Sequence, residues 1–266
     1  NTTAHPNQLV FNETNQTIML PWHTSNPYDR QLLLDNTLKV GWENWWSPRH
    51  EIPWSYHVKN SQRNVVALIG DSHAMHWATT LEQFANSIGA SFLLATQGNP
   101  PLGSYINPNV PLNAPPELLA YPNRLLVMQG RASRDVLLEK FRETLTFWNN
   151  YGKVVLIIDE PITDYEPTRC LKTTANADDC GTPFPGPRVI YGLDLKFFYN
   201  VSATNAKIRE NTDLIKIVDF VVWDGKLQSH VYSIPTYRDV DHWGTTFIEF
   251  ISPYWVKKLV VTKSFK

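Results

Sequence analysis

No long run of one charge sign occurs in this sequence, whose 24 Lys and Arg stand against 25 Asp and Glu for a formal net charge of -1. Nucleic acid and anionic membrane surfaces are read through clustered positive charge, so both are poor partners for it. No apolar run approaches the roughly 20 residues that a helix needs to cross a bilayer. The opening NTTAHPNQLV also lacks the basic-then-apolar pattern of a signal peptide. These absences predict a soluble chain, and the missing initial methionine predicts a mature or excised piece of something longer. Cysteine is scarce too: Cys170 and Cys180 are the only two. They stand in a polar stretch with Pro and Gly, where a disulfide would close a short loop at low entropic cost and would point to an oxidising compartment. Two unpaired cytosolic thiols are the alternative. Four N-x-S/T sequons, at Asn1, Asn12, Asn15 and Asn200, carry no weight in a chain this rich in Asn, Ser and Thr.

What is present divides in two. At 266 residues the chain is near the upper end of a single domain, which predicts one core with an appendage. Residues 1–60 hold Trp22, Trp42, Trp45, Trp46 and Trp54, five of the ten tryptophans, without a sustained period of 2 or 3.6. They read as an irregular extension packed on the rest. Residues 61–266 read as the second unit, in which strand and helix signals alternate. Strands are expected at VVALI (65–69), SFLLAT (91–96), RLLVMQ (124–129), KVVLIID (153–159) and IKIVDFVV (215–222). Helices are expected over 74–88 and 133–150, with a last one after His242 that breaks near Pro253. Continuous apolar strands alternating with amphipathic helices imply an α/β fold, a three-layer α/β/α sandwich with a central parallel sheet.

In such sheets functional groups collect at the carboxyl ends of the strands. There the first strand runs into Gly70, Asp71, Ser72 and His73. Gly70 would permit a tight strand-to-helix turn. Ser72 at the helix start would be a nucleophile whose own N–H helps to bind the oxyanion it creates. The plainer alternative is that Asp71 or Ser72 only caps the helix. A second stretch, YRDVDHWG from Tyr237 to Gly244, supplies what a serine nucleophile needs. His242 is a general base and Asp239, three residues earlier, an acid to orient it. Asp241 competes for that role, but adjacent side chains usually point apart, which favours Asp239.

Together these stretches resemble the SGNH (GDSL-like) hydrolase family, with Gly70, Asp71 and Ser72 matching its first block and Asp239 and His242 its last. They are closer still to one branch, the SGNH domain fused after an acyltransferase-3 membrane domain in bacterial O-acetyltransferases of lipopolysaccharide O-antigen. LIGDSHAMHW, NPPLG at 99–103, GKVVLIIDEPITDYEPTRCLK at 152–172 and YRDVDHWG look like that branch, in that order. The resemblance implies a flavodoxin-like sheet and a Ser72–His242–Asp239 triad. It also implies a periplasmic domain tethered to the bacterial inner membrane by an N-terminal acyltransferase-3 domain, with the residues before 60 as the link. No bound cofactor is implied. Acetyl-CoA would be the ultimate acetyl donor, acting through the membrane domain, and a polysaccharide hydroxyl the acceptor.

The chain departs from the wider family in lacking any Asn-Asp pair. The oxyanion donors are therefore open: the Ser72 N–H is one, and Gly98, Asn99 and Gly130 are candidates for the rest. Arg131 is a candidate substrate contact. Trp45, Trp46 and above all Trp243 are candidates for stacking on a sugar ring, against the alternative of core burial. Other readings are a polysaccharide O-acetyl esterase with the same triad, a non-catalytic glycan-binding module, and a metal site built from His73 and His76 near Asp71, joined by His242.

Overall fold

In the stretch Val65 to Ile69, every side chain is buried, which requires cover on both faces of a strand. The computed structural model describes residues 20–39, 55–96, 112–130, 138–158, 160–191 and 195–261 and supplies that cover. A six-stranded sheet is built from β1 (Ser55–Val58), β2 (Asn64–Gly70), β3 (Ser91–Thr96), β4 (Asn123–Gln129), β5 (Lys153–Ile158) and β6 (Thr212–Lys216). Its order is β1-β3-β2-β4-β5-β6. β2 to β6 are parallel, with Ile69 beside Ala95 on one side and Met128 on the other. Without β1, the order is that of a flavodoxin-like doubly wound sheet.

Two helical layers cover the sheet. Val66, Leu68, Phe92, Leu94 and Val127 face one of them, made chiefly by α3 (Ala78–Ser87) and α8 (Thr245–Val261). Val65, Ala67, Leu93, Leu126 and Leu156 face the other, where α4 (Leu138–Trp148), α6 (Leu195–Ser202) and α7 (Ala206–Asn211) contribute Phe141, Trp148, Phe198 and Ile208. Alternate residues of each strand thus feed two separate cores, as the period of 2 demands. Burying each large side chain contributes roughly 1.5–3 kcal/mol.

Four expectations need correction. The stretch before residue 60 is not wholly irregular: β1 pairs antiparallel with β3, Tyr56 opposite Leu94, and makes the sheet mixed at that edge. The helix expected over 74–88 is two, α2 (Ser72–Met75) and α3, offset at His76 and Trp77. The last parallel strand is Thr212–Lys216 rather than 215–222, because Asp213 is buried within it against Lys153 Nζ at 2.9 Å, and a 3-10 turn follows at Val218–Phe220. Pro253 lies inside α8 without ending it. A proline lacks only its own N–H, and the turns on either side are held by a buried face that includes Phe247, Ile251, Trp255 and Leu259.

Residues 20–39 pack against the rest of the fold. Trp22 is buried, gives its indole N–H to the Phe220 carbonyl at 3.2 Å and meets Phe250 and Tyr254 of α8. α1 (Arg30–Lys39) lies on α5 (Pro167–Thr173), where Arg30 donates to the carbonyls of Leu171 and Thr174 at 2.8 and 2.6 Å. Cys170 and Cys180 are joined in a disulfide beside this contact.

Candidate functional site

The sheet's order reverses at β2 and β4, and Gly70 and Gln129 are register partners at their carboxyl ends. That junction is where a ligand crevice forms in doubly wound folds. A Cβ at Gly70 would lie 1.9 Å from the Gln129 carbonyl oxygen and 2.4 Å from the Ala74 Cβ. The glycine is therefore required by close approach of β4 and α2, not by an unusual turn. Asp71 caps α2, its carboxylate accepting the His73 N–H at 2.9 Å. The cap thus belongs to Asp71, and the half-buried Ser72 hydroxyl is left to other partners.

Opposite stands the loop from Tyr237 to Trp243, which is closed on itself. Arg238 N–H donates to the His242 carbonyl and Gly244 N–H to the Thr236 carbonyl, each at 2.9 Å. Thr163 ties the loop down, its N–H and hydroxyl both donating to the Val240 carbonyl at 2.9 and 2.7 Å. Tyr237 adds a hydroxyl bond of 2.8 Å to the Pro161 carbonyl. Held in this way, the loop brings His242 Nε2 to 2.9 Å from Ser72 Oγ, across 170 residues of chain.

Asp239 Oδ2 is 3.0 Å from His242 Nδ1. Its Oδ1 accepts the N–H groups of Asp241 and His242 at 3.0 and 2.8 Å, and Arg238 donates to Oδ2 at 2.7 Å. The sequence argument against Asp241 is corrected: its Oδ1 is also 3.0 Å from Nδ1. The turn built on Asp239 bends the chain between residues 239 and 242, so that the two carboxylates converge instead of splaying. Burial opposes the Asp239 charge, but the hydrogen bond and charge of His242, then Arg238, hold its carboxyl well below the usual range. For His242 burial again acts first, lowering proton affinity; the bonds to Asp239 and Asp241 outweigh it and push the imidazole above its ordinary value.

Sequence reasoning missed what lies behind this triad. The ring of His73 is stacked on that of His242, with centroids 4.8 Å apart and planes 27° from parallel. His73 Nδ1 bonds Glu160 Oε2 at 2.7 Å, and Gln129 Nε2 donates to the same oxygen at 2.6 Å. Trp77 in turn donates its indole N–H to Gln129 Oε1. Every member of this chain is buried. Desolvation disfavours a charged His73, but the charge and hydrogen bond of Glu160 overcome it and raise the imidazole to about 9. His76 has the opposite fate: burial, then the positive charge on His242 and His73, pushes it well below its ordinary value. The available signal was Glu160, an acid just past the end of a continuous apolar run and followed by Pro161.

Other sequence-predicted residues fare differently. Trp243 is 1% exposed, wedged against Phe247, Trp77 and Tyr237, so it offers no face to a sugar ring and its assignment is corrected to core. Gly130 is buried directly after β4, at the triad's end of the sheet. Gly98, Asn99, Arg131, Trp45 and Trp46 lie outside the described residues. Ligand atoms of Asp239, Asp241 and His242 come within 4.8 Å of one another, as a cation site would require. Here both His242 nitrogens are already engaged, by the carboxylates and by Ser72, which accounts for the cluster without an ion. His73 gives Nδ1 to Glu160, and neither His73 nor His76 belongs to that cluster.

Among curated proteins none matches this chain. Among solved structures, the periplasmic domain of a lipopolysaccharide acetyltransferase from Salmonella ser. Paratyphi A is similar at 16% identity and a TM-score of 0.47, over 76% of this chain and 85% of that one. The family model "SGNH domain (fused to AT3 domains)" matches residues 47–257. That span contains both the strand-to-helix turn of Ser72 and the loop of His242, and the chain belongs to this family of SGNH domains fused to AT3 domains.

Proposed function

We propose that this chain is the acetyl-transferring domain of a bacterial O-acetyltransferase, which moves an acetyl group through a serine ester to a hydroxyl of a surface polysaccharide, most simply lipopolysaccharide O-antigen. The observation that carries the reading is the 2.9 Å contact between Ser72 Oγ and His242 Nε2, with two carboxylates on the far nitrogen of the same ring. The AT3 fusion typical of the family supports a membrane partner in the same polypeptide and a periplasmic location. Acetyl-CoA would serve as ultimate donor through that partner.

His242 Nε2 takes the Ser72 proton as Oγ attacks the acetyl carbonyl, and the imidazolium returns it to the leaving group of the donor. Asp239 and Asp241 keep Nδ1 protonated and stabilise the cation so formed. The Ser72 N–H at the start of α2 faces the developing oxyanion, with Gly130 as a second donor and Gly98 and Asn99 as further ones. His242 next removes the proton of a sugar hydroxyl, which attacks the acetyl-serine and leaves with the acetyl group. Ser72 recovers its proton from His242, so the cycle closes without other reagents. Arg131 is proposed as a contact to the acceptor.

The test is acetylation of lipopolysaccharide, read by mass spectrometry, in cells carrying the full-length protein with Ser72 or Ser72→Ala. Loss of the acetyl mass with the alanine variant is expected; its retention overturns the catalytic reading and leaves a binding module. Acetyl release into water without transfer to an oligosaccharide would make the domain an esterase instead.

A further inference from the structure

Three groups beneath the triad are more elaborate than a Ser-His-Asp mechanism requires. Glu160 and Gln129 are both buried, and together with Trp77 they form one continuous hydrogen-bonded line ending on His73. A buried ion pair is weak evidence for stability, since desolvation consumes most of its attraction. Its location is more informative: the cationic end of the pair lies flat against the general base, and the anionic end points away.

We propose that His73, paired with Glu160, is a positioning residue for the acyl-transfer base: its ring fixes the plane of His242, and its positive charge opposes the two carboxylates that pull a proton onto that ring. This inference rests on the reading of His242 as general base. The geometry gives the reason for such a device. Two carboxylates at 3.0 Å from one imidazole nitrogen would hold His242 protonated, and a protonated His242 cannot accept the Ser72 proton. A cation stacked at 4.8 Å offsets one of them without touching either nitrogen that the mechanism uses.

Among the described residues, the charged groups around His242 fit this balance. On its own loop stand Asp239, Asp241 and Arg238, the last already bonded to Asp239. From α2 comes His73, and from the residue just past it the edge of His76, 5.4 Å away at 81°. Glu160 Oε1 is 3.8 Å from His76 Nδ1, and Asp241 Oδ2 is 3.9 Å from His73 Nε2. Asp71, capping α2, adds a further negative charge near His73. His76 is kept neutral by its enclosure, so the stack carries one cation and not two.

The experiment follows each imidazole by NMR in the 266-residue chain with labelled histidine. In the wild type, His73 should be doubly protonated at about pH 7.5; a neutral His73 overturns the proposal, and this arm needs no variant. The double variant His73→Gln/Glu160→Gln removes both charges at once and so leaves no lone buried ion. Its His242 midpoint should rise by roughly one pH unit, because the cation lost lies 4.8 Å from the ring and outweighs the Glu160 carboxylate lost from behind it. The acid limb of kcat/KM for hydrolysis of nitrophenyl acetate should move by the same amount. An unchanged His242 midpoint in the folded double variant overturns the proposal. Ser72→Ala is assayed in parallel: full hydrolysis there sinks the base assignment, whereas the NMR titration needs no turnover and still decides the coupling.

Discussion

The indole of Trp77 lies flat on that of Trp255, with ring centroids 4.7 Å apart and planes 13° from parallel. Trp77 follows the helix that presents Ser72, and Trp255 belongs to α8, which starts three residues after His242. The stack therefore clamps together the segments that carry Ser72 and His242.

Trp255→Ala should destabilise the chain by about 3–5 kcal/mol, the range for emptying a buried aromatic site. Urea denaturation measures that loss. The same cavity should loosen Ser72 relative to His242, so esterase activity should fall even at temperatures where the variant is fully folded.

Asp239 and Asp241 share His242 Nδ1, which makes neither indispensable for holding its tautomer. Each single Asn variant should therefore lose less than the ~10⁴-fold that loss of a lone triad carboxylate costs, and the double variant should approach that figure. Asp239→Asn should be the worse of the two, because it also weakens the turn formed by the Asp241 and His242 N–H groups. Steady-state kinetics on an activated acetyl ester distinguishes the three. With His242 raised above its ordinary value of 6.5, wild-type kcat/KM should rise with pH through a midpoint above 6.5, and each substitution should move that midpoint down.

Stability should pass through a maximum near pH 6.5 to 7. On the alkaline side, the folded His73 value of about 9 lies above its unfolded value of 6.5. Its contribution is therefore complete below about 6.5 and is lost as pH rises through 9; by linkage it amounts to about 3 kcal/mol. On the acid side, burial lowers His230 to about 4 in the folded chain, against the pull of Asp178. The folded protein then binds fewer protons than the unfolded one, and stability is lost as pH falls from 6.5 toward 4. Unfolding free energies across this range check both limbs, and Glu160→Gln should flatten the alkaline one.

Gly70→Ala should impair folding and activity together. The added Cβ meets the Gln129 backbone oxygen and the Ala74 Cβ, neither of which can swing aside. A cost of about 1–3 kcal/mol or more is expected from such overpacking, visible as a lowered melting temperature.

Four of the five parallel strands were readable because each carries a continuous apolar run, as burial on both faces of a sheet requires. β1 was not: SYHV is four residues of mixed polarity, and only its pairing with β3 makes it a strand. Thr212–Lys216 was displaced in the reading because Asp213, buried against Lys153, hides the strand's start. At the site, Ser72, Asp239 and His242 were legible because their chemistry demands one another. Glu160, Gln129 and His73 were not, since they stand far apart in the sequence, and only the tertiary contact reveals that they are partners. Asp239 was preferred to Asp241 by a rule about adjacent side chains that fails inside the turn that Asp239 builds.

Leu20, Trp22 and Leu33 are all enclosed, and each precedes residue 47, where the family match begins. An expression fragment trimmed to that match would leave an indole-sized socket open between Phe220 and the aromatic side of α8, bare to solvent and adhesive toward other copies. A stable fragment of this domain should accordingly begin before Leu20.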